Sequence, residues 1–280
     1  MRDLRERTNL AQAISFFGSH HEARRFADVC LARTLGDLPG ETRCVDFGGG
    51  QGIVAQAMHD ALLAAGRQPH VMVVDSNANY LADARARGLS VQLANIEACE
   101  LADVDLATMR LVNHYCGYEQ QGSMLANIHK ALRPNGMFVS QIETGAAEIC
   151  RLQGKISNAL SNESCSGYYW PTLTEYIALT EAVGFVETCV IGESPPIEAT
   201  INEALATAWK RFHGRRLEDF AKEGRIDEMN ELLAERAKFF KESRVLIAQE
   251  LGEGTGSSPS SSAQGIFQLS YPIVYCRRSG

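Results

Sequence analysis

The stretch Val45-Asp-Phe-Gly-Gly-Gly-Gln-Gly52 decides the fold of this 280-residue chain. An apolar run at 43–47 leads into its glycines, and a helical pattern over 53–65 follows them. A second apolar run, 70–75, ends in an acid. Strand, glycine loop, helix and strand in this order predict a βαβ unit of a parallel sheet.

The alternation of strands and helices continues outward from this unit. We predict further strands at 89–94, 109–114, 137–142, 186–191 and 266–276, and helices at 77–87, 121–132 and 174–183. Before the glycine loop, residues 2–36 are helical in period, with a break at Gly18-Ser19. The pattern predicts an α/β fold with a Rossmann-like, doubly wound sheet of seven strands.

Three segments fall outside the regular alternation. We predict a loop or lid at residues 157–171. The apolar residues of segment 201–251 recur with a helical period, and segment 252–264 has the composition of a flexible linker. We therefore divide the chain into an N-terminal helical cap at 1–40, a core at 41–197 plus 265–280, and a helical insertion with linker at 198–264. The insertion is either a cap that packs on the core or a substrate lid or dimer interface.

Composition excludes several classes of protein. The formal net charge of −7 gives no general basic field for a nucleic acid, although a local basic patch stays open. The eight cysteines form no CxxC pair, and no Asp, Asn or His set has metal-ligand spacing, so we expect no metal site. The N-terminus lacks an apolar signal-peptide core, and no apolar run approaches about 20 residues. We expect a cytoplasmic protein without a membrane partner.

Two acids, one before the glycines and one at the end of the second strand, indicate which kind of cofactor the glycine turn binds. Glycines let the backbone approach a ligand closely, and the following helix offers N–H groups without partners. Asp46 precedes the glycines, where a carboxylate would repel a phosphate but suits the ammonium of an amino acid. Asp75 ends the second strand, where a carboxylate can accept both ribose hydroxyls of an adenosine. Asp75 supports an adenosine cofactor in general, and Asp46 favours S-adenosylmethionine over NAD.

The order of VDFGGGQG, VVDSN, LANIEA, LVNHYCGYE and LRPNGMFV resembles class I S-adenosylmethionine-dependent methyltransferases over about residues 41–145. The resemblance implies that the last strand inserts antiparallel into the sheet. It also implies that Asp46 holds the cofactor's ammonium, Asp75 its ribose, and Asn95 its adenine. Many members have Asp where Asn95 stands, and Asn keeps an oxygen acceptor. The cofactor-binding residues that we expect are Asp46, Phe47, Gly48, Gly50, Asp75, Ser76, Asn95, Ile96, Asn113 and His114.

The predicted acceptor side is less specific. His114 is either a general base for an O–H or N–H acceptor or a packing residue of the pocket. Tyr115 and His20 complete the candidate catalytic residues, although helix capping and surface exposure also explain His20. The candidate substrate-contacting residues are Phe17, Tyr118, Tyr168 and Trp170. The Asn/Asp-Pro-Pro-Tyr/Phe pattern of amino-group methylases is absent from the sequence.

The resemblance implies methyl transfer by direct in-line displacement, with S-adenosylhomocysteine as product. The aromatic residues at 168–170, the acidic net charge and the lack of a general basic field favour a small organic acceptor, such as a natural-product intermediate. An RNA or protein methyltransferase, a nicotinamide-dependent oxidoreductase and a non-catalytic cofactor-binding scaffold remain alternatives. We expect no nucleic-acid partner, and a homodimer is left open. The sequence does not show whether O, N or C is methylated.

Overall fold

The structure is a computed structural model that describes residues 19–160, 167–250 and 266–280. Its strands are β1 Glu41–Phe47, β2 Gln68–Asp75, β3 Ser90–Leu93, β4 Val104–Arg110, β5 Leu132–Gln141, β6 Phe185–Thr200 and β7 Ile266–Arg278. Its α-helices are α1 His20–Thr34, α2 Ile53–Ala64, α3 Ala78–Ala86, α4 Tyr118–Ala131, α5 Ala147–Leu160, α6 Leu173–Ala182, α7 Ile201–Lys222 and α8 Ile226–Glu250.

The strands form one sheet in the order β3-β2-β1-β4-β5-β7-β6. Strands β1 to β5 are parallel, whereas β7 lies antiparallel between β5 and β6, with Phe138 opposite Cys276. This confirms the predicted seven-stranded sheet with an antiparallel last strand. The strand order reverses between β1 and β4, and ligands of open α/β sheets bind at the carboxyl ends of the strands at such a reversal.

Each face of the sheet is covered by helices. On one face lie α1, α2 and α3, whose Phe26, Met58 and Leu81 are buried in one hydrophobic cluster. On the other face lie α4 and α6, whose Leu125 and Tyr176 are buried in a second cluster. Each fully buried large apolar side chain contributes about 1.5–3 kcal/mol. This packing fixes the strands whose carboxyl ends build the site.

The predicted position of the fourth strand, 109–114, is wrong. The strand β4 runs from Val104 to Arg110. The charged residue Asp105 fits inside this buried strand because its carboxylate has partners there. The Asp105 carboxylate accepts the Arg43 amide at 2.7 Å and forms an ion pair with Arg133. The strand ends at Arg110, and the next residue, Leu111, has a φ of +59°.

Several other boundaries also differ from the predictions, and two of them concern the segments around the site. The predicted loop at 157–171 begins inside α5, which runs to Leu160, and residues 161–166 lie outside the described part. The strand β6 continues to Thr200 rather than Ile191, because it pairs with β7 along the hairpin from Phe185 opposite Arg278 to Thr200 opposite Ile266. The predicted domain boundary at 198 therefore falls inside β6.

The helical insertion packs on the segment that follows β5. Trp209 of α7 and Phe239 of α8 are buried in a third cluster together with Leu152 and Ile156 of α5. Gly154 of α5 in turn approaches the backbone of Tyr168, where an added Cβ would lie 3.5 Å from the carbonyl oxygen. Through α5, the insertion supports the segment that contains Tyr168.

Candidate active site

The glycine turn between β1 and α2 depends on the absence of side chains. Gly48, Gly50 and Gly52 all have positive φ, at +66°, +53° and +77°. The Gly48 amide donates to the Val74 carbonyl at 2.7 Å, and a Cβ on Gly48 would lie only 2.5 Å from Val112 Cγ2. The turn therefore folds tightly between the ends of β2 and β4 only with glycine there.

Gly50 differs from the other glycines of the turn in its surroundings. A Cβ at Gly50 would meet only Tyr80 within 4 Å, at 3.8 Å. The helix α2 begins three residues later at Ile53, and its N-cap Gly52 has no side chain to cap it. Backbone at Gly50 is thus open to a ligand, next to a helix N-terminus.

Asp75 is held at the edge of the site by two backbone amides. Its Oδ2 accepts the Gly50 amide at 2.9 Å, and its Oδ1 accepts the Asn77 amide at 2.8 Å. Each carboxylate oxygen has a second lone pair available for a further donor. The half-buried carboxylate therefore has a fixed orientation at the carboxyl end of β2.

Asp46 is a buried carboxyl group directly below the turn. It is 1% exposed, and its Oδ1 accepts the Thr108 hydroxyl at 2.9 Å. Its Oδ2 makes no hydrogen bond within the described part of the chain, and a Cβ on Gly49 would lie 2.4 Å from it. Burial raises the pKa of Asp46 from 3.8 to about 7, although the Thr108 hydrogen bond opposes this. A buried acceptor without a donor is expensive, and a bound cation would satisfy it.

The predicted adenine side lies next to the end of β3. Asn95 is exposed and precedes a short 3-10 turn, Ile96–Ala98, in which Ile96 is buried. The amide of Asn127 on α4 donates to the carbonyls of Ile96 and Cys99, at 2.6 and 2.7 Å. The turn is therefore fixed by α4, while Asn95 and the exposed Ser76 stay accessible.

After β4 the chain returns towards the glycine turn. Val112 contacts Gly48, and the next residue, Asn113, is 1% exposed. Neither the oxygen nor the nitrogen of the Asn113 amide has a hydrogen-bond partner among the described residues. Asn113 and Asp46 are thus two buried polar groups with unused hydrogen-bonding capacity beside the turn.

Six rings form what we call the aromatic wall: His114, Tyr115, Tyr118, Tyr168, Tyr169 and Trp170. The buried His114 stacks on Trp170, with ring centroids 4.9 Å apart at 19°, and tilts against Tyr115 at 4.3 Å. Tyr118 meets Tyr169 edge-on at 5.2 Å. The wall joins the segment after β4 to the segment before α6.

Four hydrogen bonds hold the aromatic wall in place. Gln121 of α4 donates its amide to the carbonyls of Cys116 and Tyr169, at 3.0 and 2.7 Å. Trp170 Nε1 donates to Glu143 at 3.1 Å, and the Tyr169 hydroxyl donates to Glu175 at 3.0 Å. Gln121 links the two segments, because its amide group donates to a carbonyl in each of them.

Most of the predicted residues that the structure describes fall into two groups, whereas Phe47 and His20 lie apart from both. The turn residues Asp46, Gly48 and Gly50 lie together with Asp75, and His114 to Tyr118 lie with Tyr168 and Trp170. Phe47 is buried on the α4 face of the sheet. His20 is exposed at the start of α1, and Phe17 lies outside the described residues.

Sequence reasoning missed a set of polar residues on β4, on β5 and the segment that follows it, and in the middle of β6. They are Thr108, Arg110, Gln141, Glu143 and Ser194. The available signal was the interruption of apolar strands by polar residues, as in LATMR at 106–110 and SQIET at 140–144. Buried polar residues at strand ends are expected to bind one another or a ligand.

Two properties of the described residues complete the description. None of the helices in the described ranges has the length and apolar character needed to cross a bilayer. Within the same ranges, no three His, Cys, Asp or Glu side chains are grouped in a way that would hold a metal ion.

Comparison with known proteins adds a family match. Residues 44–136 match the family model of a methyltransferase domain, so the match begins in β1 and ends in the middle of β5. No curated protein matches the sequence.

Solved structures share the fold at low sequence identity. The YcgJ protein from Bacillus subtilis is 14% identical, with a TM-score of 0.59 over 90% of this chain and 98% of that one. The [4+2]-cyclase SpnF is 14% identical, with a TM-score of 0.51 over 92% and 82% of the two chains. Geranyl diphosphate methyltransferase in complex with S-adenosylmethionine is 14% identical, with a TM-score of 0.50 over 92% and 85%.

Proposed function

We propose that this chain, whose residues 44–136 match the model of a methyltransferase domain, transfers a methyl group from S-adenosylmethionine to a small organic acceptor. One observation carries the proposal. The glycine turn lies between two acids with different tasks, the buried Asp46 with an unused oxygen and the backbone-held Asp75. An amino acid joined to an adenosine needs both, an anion for its ammonium and an acceptor for its ribose hydroxyls.

The residues present fit this cofactor. The Asp46 Oδ2 atom is buried without a donor, and the cofactor's ammonium would supply one. The open backbone at Gly50 leaves room for the chain that connects ammonium and ribose. Asp75 would take the ribose, Asn95 and Ile96 would flank the adenine, and Ser76, Gly48, Asn113 and His114 would line the rest of the site.

When bound, S-adenosylmethionine supplies a methyl group on a positively charged sulfur that a nucleophile can displace. The contribution of the protein is to hold the acceptor in line with that methyl group, and proximity and orientation supply much of the rate in such a site. The aromatic wall excludes water and positions the acceptor. His114 stacks flat on Trp170, which favours a positioning role, and its action as a general base is a separate proposal to be tested by a pH profile.

The aromatic wall also supports the choice of a small organic acceptor. The flat faces of aromatic side chains bind apolar or aromatic groups by burial and ring stacking. Two of the wall residues, Tyr115 and Tyr118, are exposed at the rim of the wall. The net charge of −7 disfavours a polyanionic acceptor. We therefore place the acceptor against His114, Tyr115, Tyr118, Tyr168 and Trp170.

Calorimetry with S-adenosylhomocysteine tests the cofactor site with a matched pair of variants. Gly50→Ala and Gly66→Ala both force an alanine into positive φ without a close contact, at +53° and +75°. Both should lose about 1 kcal/mol of stability from backbone strain. Only Gly50→Ala should weaken binding, because Gly66 ends α2 away from the carboxyl ends of the strands.

Equal affinity of both variants and wild type would place the ligand elsewhere, and absence of binding to wild type would refute the cofactor assignment. Transfer itself is tested with a methyl-labelled donor and a panel of phenols, amines and carboxylic acids. The same fold in a [4+2]-cyclase shows that cofactor binding and methyl transfer must be measured separately. Binding without transfer to any acceptor would favour a non-catalytic scaffold.

A further inference from the structure

The second helix of the insertion, α8, buries only one side of its surface. Among its described side chains, the buried ones are Leu232, Phe239, Ser243 and Ile247. The three apolar ones pack in the third cluster together with side chains of α5 and α7. Steps of seven, four and four residues place the buried side chains on one side of the helix. Most of the remaining surface of this 25-residue helix, about 37 Å long, is exposed to solvent.

A second stripe of side chains, which we call the α8 seam, repeats at alternating steps of four and three residues. Its members are Ile226, Asn230, Leu233, Ala237 and Phe240. The apolar Ile226 and Leu233 are 50% and 40% exposed. Asn230 and Ala237 are also exposed, whereas Phe240 is half-buried. Alternating steps of four and three are the spacing by which two helices pair along their length.

The charges of α8 are divided between its two halves. Residues 226–235 contain four acids and no base, and the acids are Asp227, Glu228, Glu231 and Glu235. Residues 236–245 contain one acid and four bases, and the bases are Arg236, Lys238, Lys241 and Arg244. The helix dipole does not account for this division, because its effect is confined to the terminal turns and the last turn of α8 has no base.

Contacts within the chain leave this division of charge in place. Glu228 forms an ion pair with Arg225, which precedes the helix, and Lys238 lies 3.9 Å from Glu242. Both pairs are exposed, and exposed pairs contribute little to the stability of a single chain. The acidic half and the basic half of α8 are therefore both accessible to a partner.

We propose that α8 pairs antiparallel with α8 of a second copy of this chain, so that the protein forms a homodimer. Antiparallel pairing places the acidic half of each α8 opposite the basic half of the other, and twofold symmetry makes this contact twice. Parallel pairing would place like charges opposite each other. A partner of uniform negative charge, such as a nucleic acid or an anionic membrane, would be repelled by the acidic half.

The apolar seam and the charges agree on one register. A pairing centred on positions 234–235 brings Leu233 close to the symmetry axis, where the small side chain of Ala237 lets the helices approach. The same register places Glu231 of each copy beside Lys238 of the other. These two residues are exposed and seven positions apart, so they lie on one flank of the seam.

Sedimentation velocity on the full chain tests the dimer. Wild type should sediment with twice the 30.7 kDa mass of one chain, and it should dissociate on dilution and at high salt. Leu233→Glu should weaken self-association at least about tenfold, because it places a carboxylate in the seam. Leu63→Glu is the matched control, since Leu63 of α2 is 51% exposed away from the insertion, and it should leave self-association unchanged.

A charge exchange tests the antiparallel register. Glu231→Lys and Lys238→Glu should each weaken self-association about 3- to 30-fold, because each homodimer then contains two contacts between like charges. An equal mixture of the two variants should associate as well as wild type, since both contacts of the mixed dimer again join unlike charges. Circular dichroism should show an unchanged fold, because the replaced side chains are exposed.

A wild-type chain that stays monomeric at about 100 μM would overturn the inference. A dimer that Leu233→Glu does not weaken would assign self-association to another surface and would also overturn it. If the mixed charge variants associate no better than each variant alone, the antiparallel pairing of α8 is wrong.

Discussion

The glycine turn and the aromatic wall adjoin the same sheet edge but are built in different ways. The turn lies within one consecutive strand-turn-helix-strand unit, and backbone atoms make its contacts, as in the Gly48–Val74 and Gly50–Asp75 hydrogen bonds. The wall joins two segments through side chains, and Gln121 reaches Tyr169 across 48 residues of sequence. Local backbone geometry thus defines the cofactor side, and long-range packing defines the acceptor side.

The largest expected effect is that of Trp170→Ala, which tests whether the aromatic wall binds the acceptor or only packs against the core. Trp170→Ala should cost about 3–5 kcal/mol of stability, because Trp170 is 2% exposed and stacks on His114. It should also raise the KM of the acceptor while the affinity for S-adenosylhomocysteine stays within twofold. Denaturant unfolding, steady-state kinetics and calorimetry measure the three quantities.

Trp209→Ala is the matched control, since Trp209 is similarly buried against Phe239 in the insertion cluster. It should lose comparable stability without a change in acceptor KM. If both tryptophan variants change acceptor kinetics alike, the wall has no special role. Trp170→Phe keeps a ring and serves where the alanine variant is too unstable to assay.

The second effect concerns the turn. Asp75→Ala should weaken S-adenosylhomocysteine binding by about 1.5–3 kcal/mol, because it removes a charged acceptor for the ribose and frees the Gly50 amide. Asp83→Ala removes an exposed carboxylate that accepts Gln51 at 2.7 Å and should have little effect. Calorimetry on both variants measures the difference, and equal affinities would place the ribose acid elsewhere.

The same contrast explains which parts of the fold were predictable. From β1 to β3, no end of a strand or helix differs from its predicted position by more than two residues. Glycines, apolar runs and the Asn77 cap are local signals that act within a few residues of the boundary they set. The family match over 44–136 confirms the methyltransferase assignment made from this region.

Errors begin where distant residues decide the structure. The fourth strand was placed too late because Asp105 looks like a loop residue until Arg43 and Arg133 are known to lie beside it. The link from Gln141 to Ser194 spans 53 residues and the link from Ser194 to Glu22 spans 172, so no spacing rule reveals them. The roles predicted for His114, Tyr115 and His20 stay predictions.

A third prediction uses the raised pKa of Asp46, which burial brings to about 7. An ammonium binds the ionised carboxylate, whose fraction increases with pH. Below pH 7, the affinity for S-adenosylhomocysteine should therefore increase about tenfold for each unit by which the pH rises, and above pH 7 it should level off. Binding near pH 6 should release a proton, which calorimetry in buffers of different ionisation enthalpy detects. Asp46→Asn should bind weakly at every pH, and a pH-independent wild-type affinity would contradict the assignment.

The stability of the ligand-free chain should change in the opposite direction. The folded state keeps the Asp46 proton up to about pH 7, whereas the unfolded chain loses it near 3.8. The contribution of Asp46 to the free energy of unfolding therefore falls as pH rises from about 4 to 7, by about 1.4 kcal/mol per unit of pKa shift. The difference between wild type and Asp46→Asn in urea unfolding, measured at several pH values, isolates this contribution.

The smallest effects are expected from removing helix caps. Two capping boxes have the same residue types, and one lies beside the aromatic wall and the other in the insertion. Thr172 and Glu175 cap α6, and Thr200 and Glu203 cap α7. Either threonine replaced by alanine should cost about 1 kcal/mol of stability. Glu175 alone has a second partner, because its other oxygen accepts the Tyr169 hydroxyl at 3.0 Å.

Thr172→Ala should therefore loosen Glu175 and, through Tyr169, the edge contact with Tyr118. The expected result is a rise of a few-fold in acceptor KM with unchanged S-adenosylhomocysteine affinity. Thr200→Ala should lose the same stability and leave acceptor KM unchanged, because its box supports only the insertion. A rise in KM for both variants would show that the insertion acts on the acceptor side as well, through α5 and its contact with Tyr168. Equal stability loss without any kinetic difference would show that Tyr169 does not contact the acceptor.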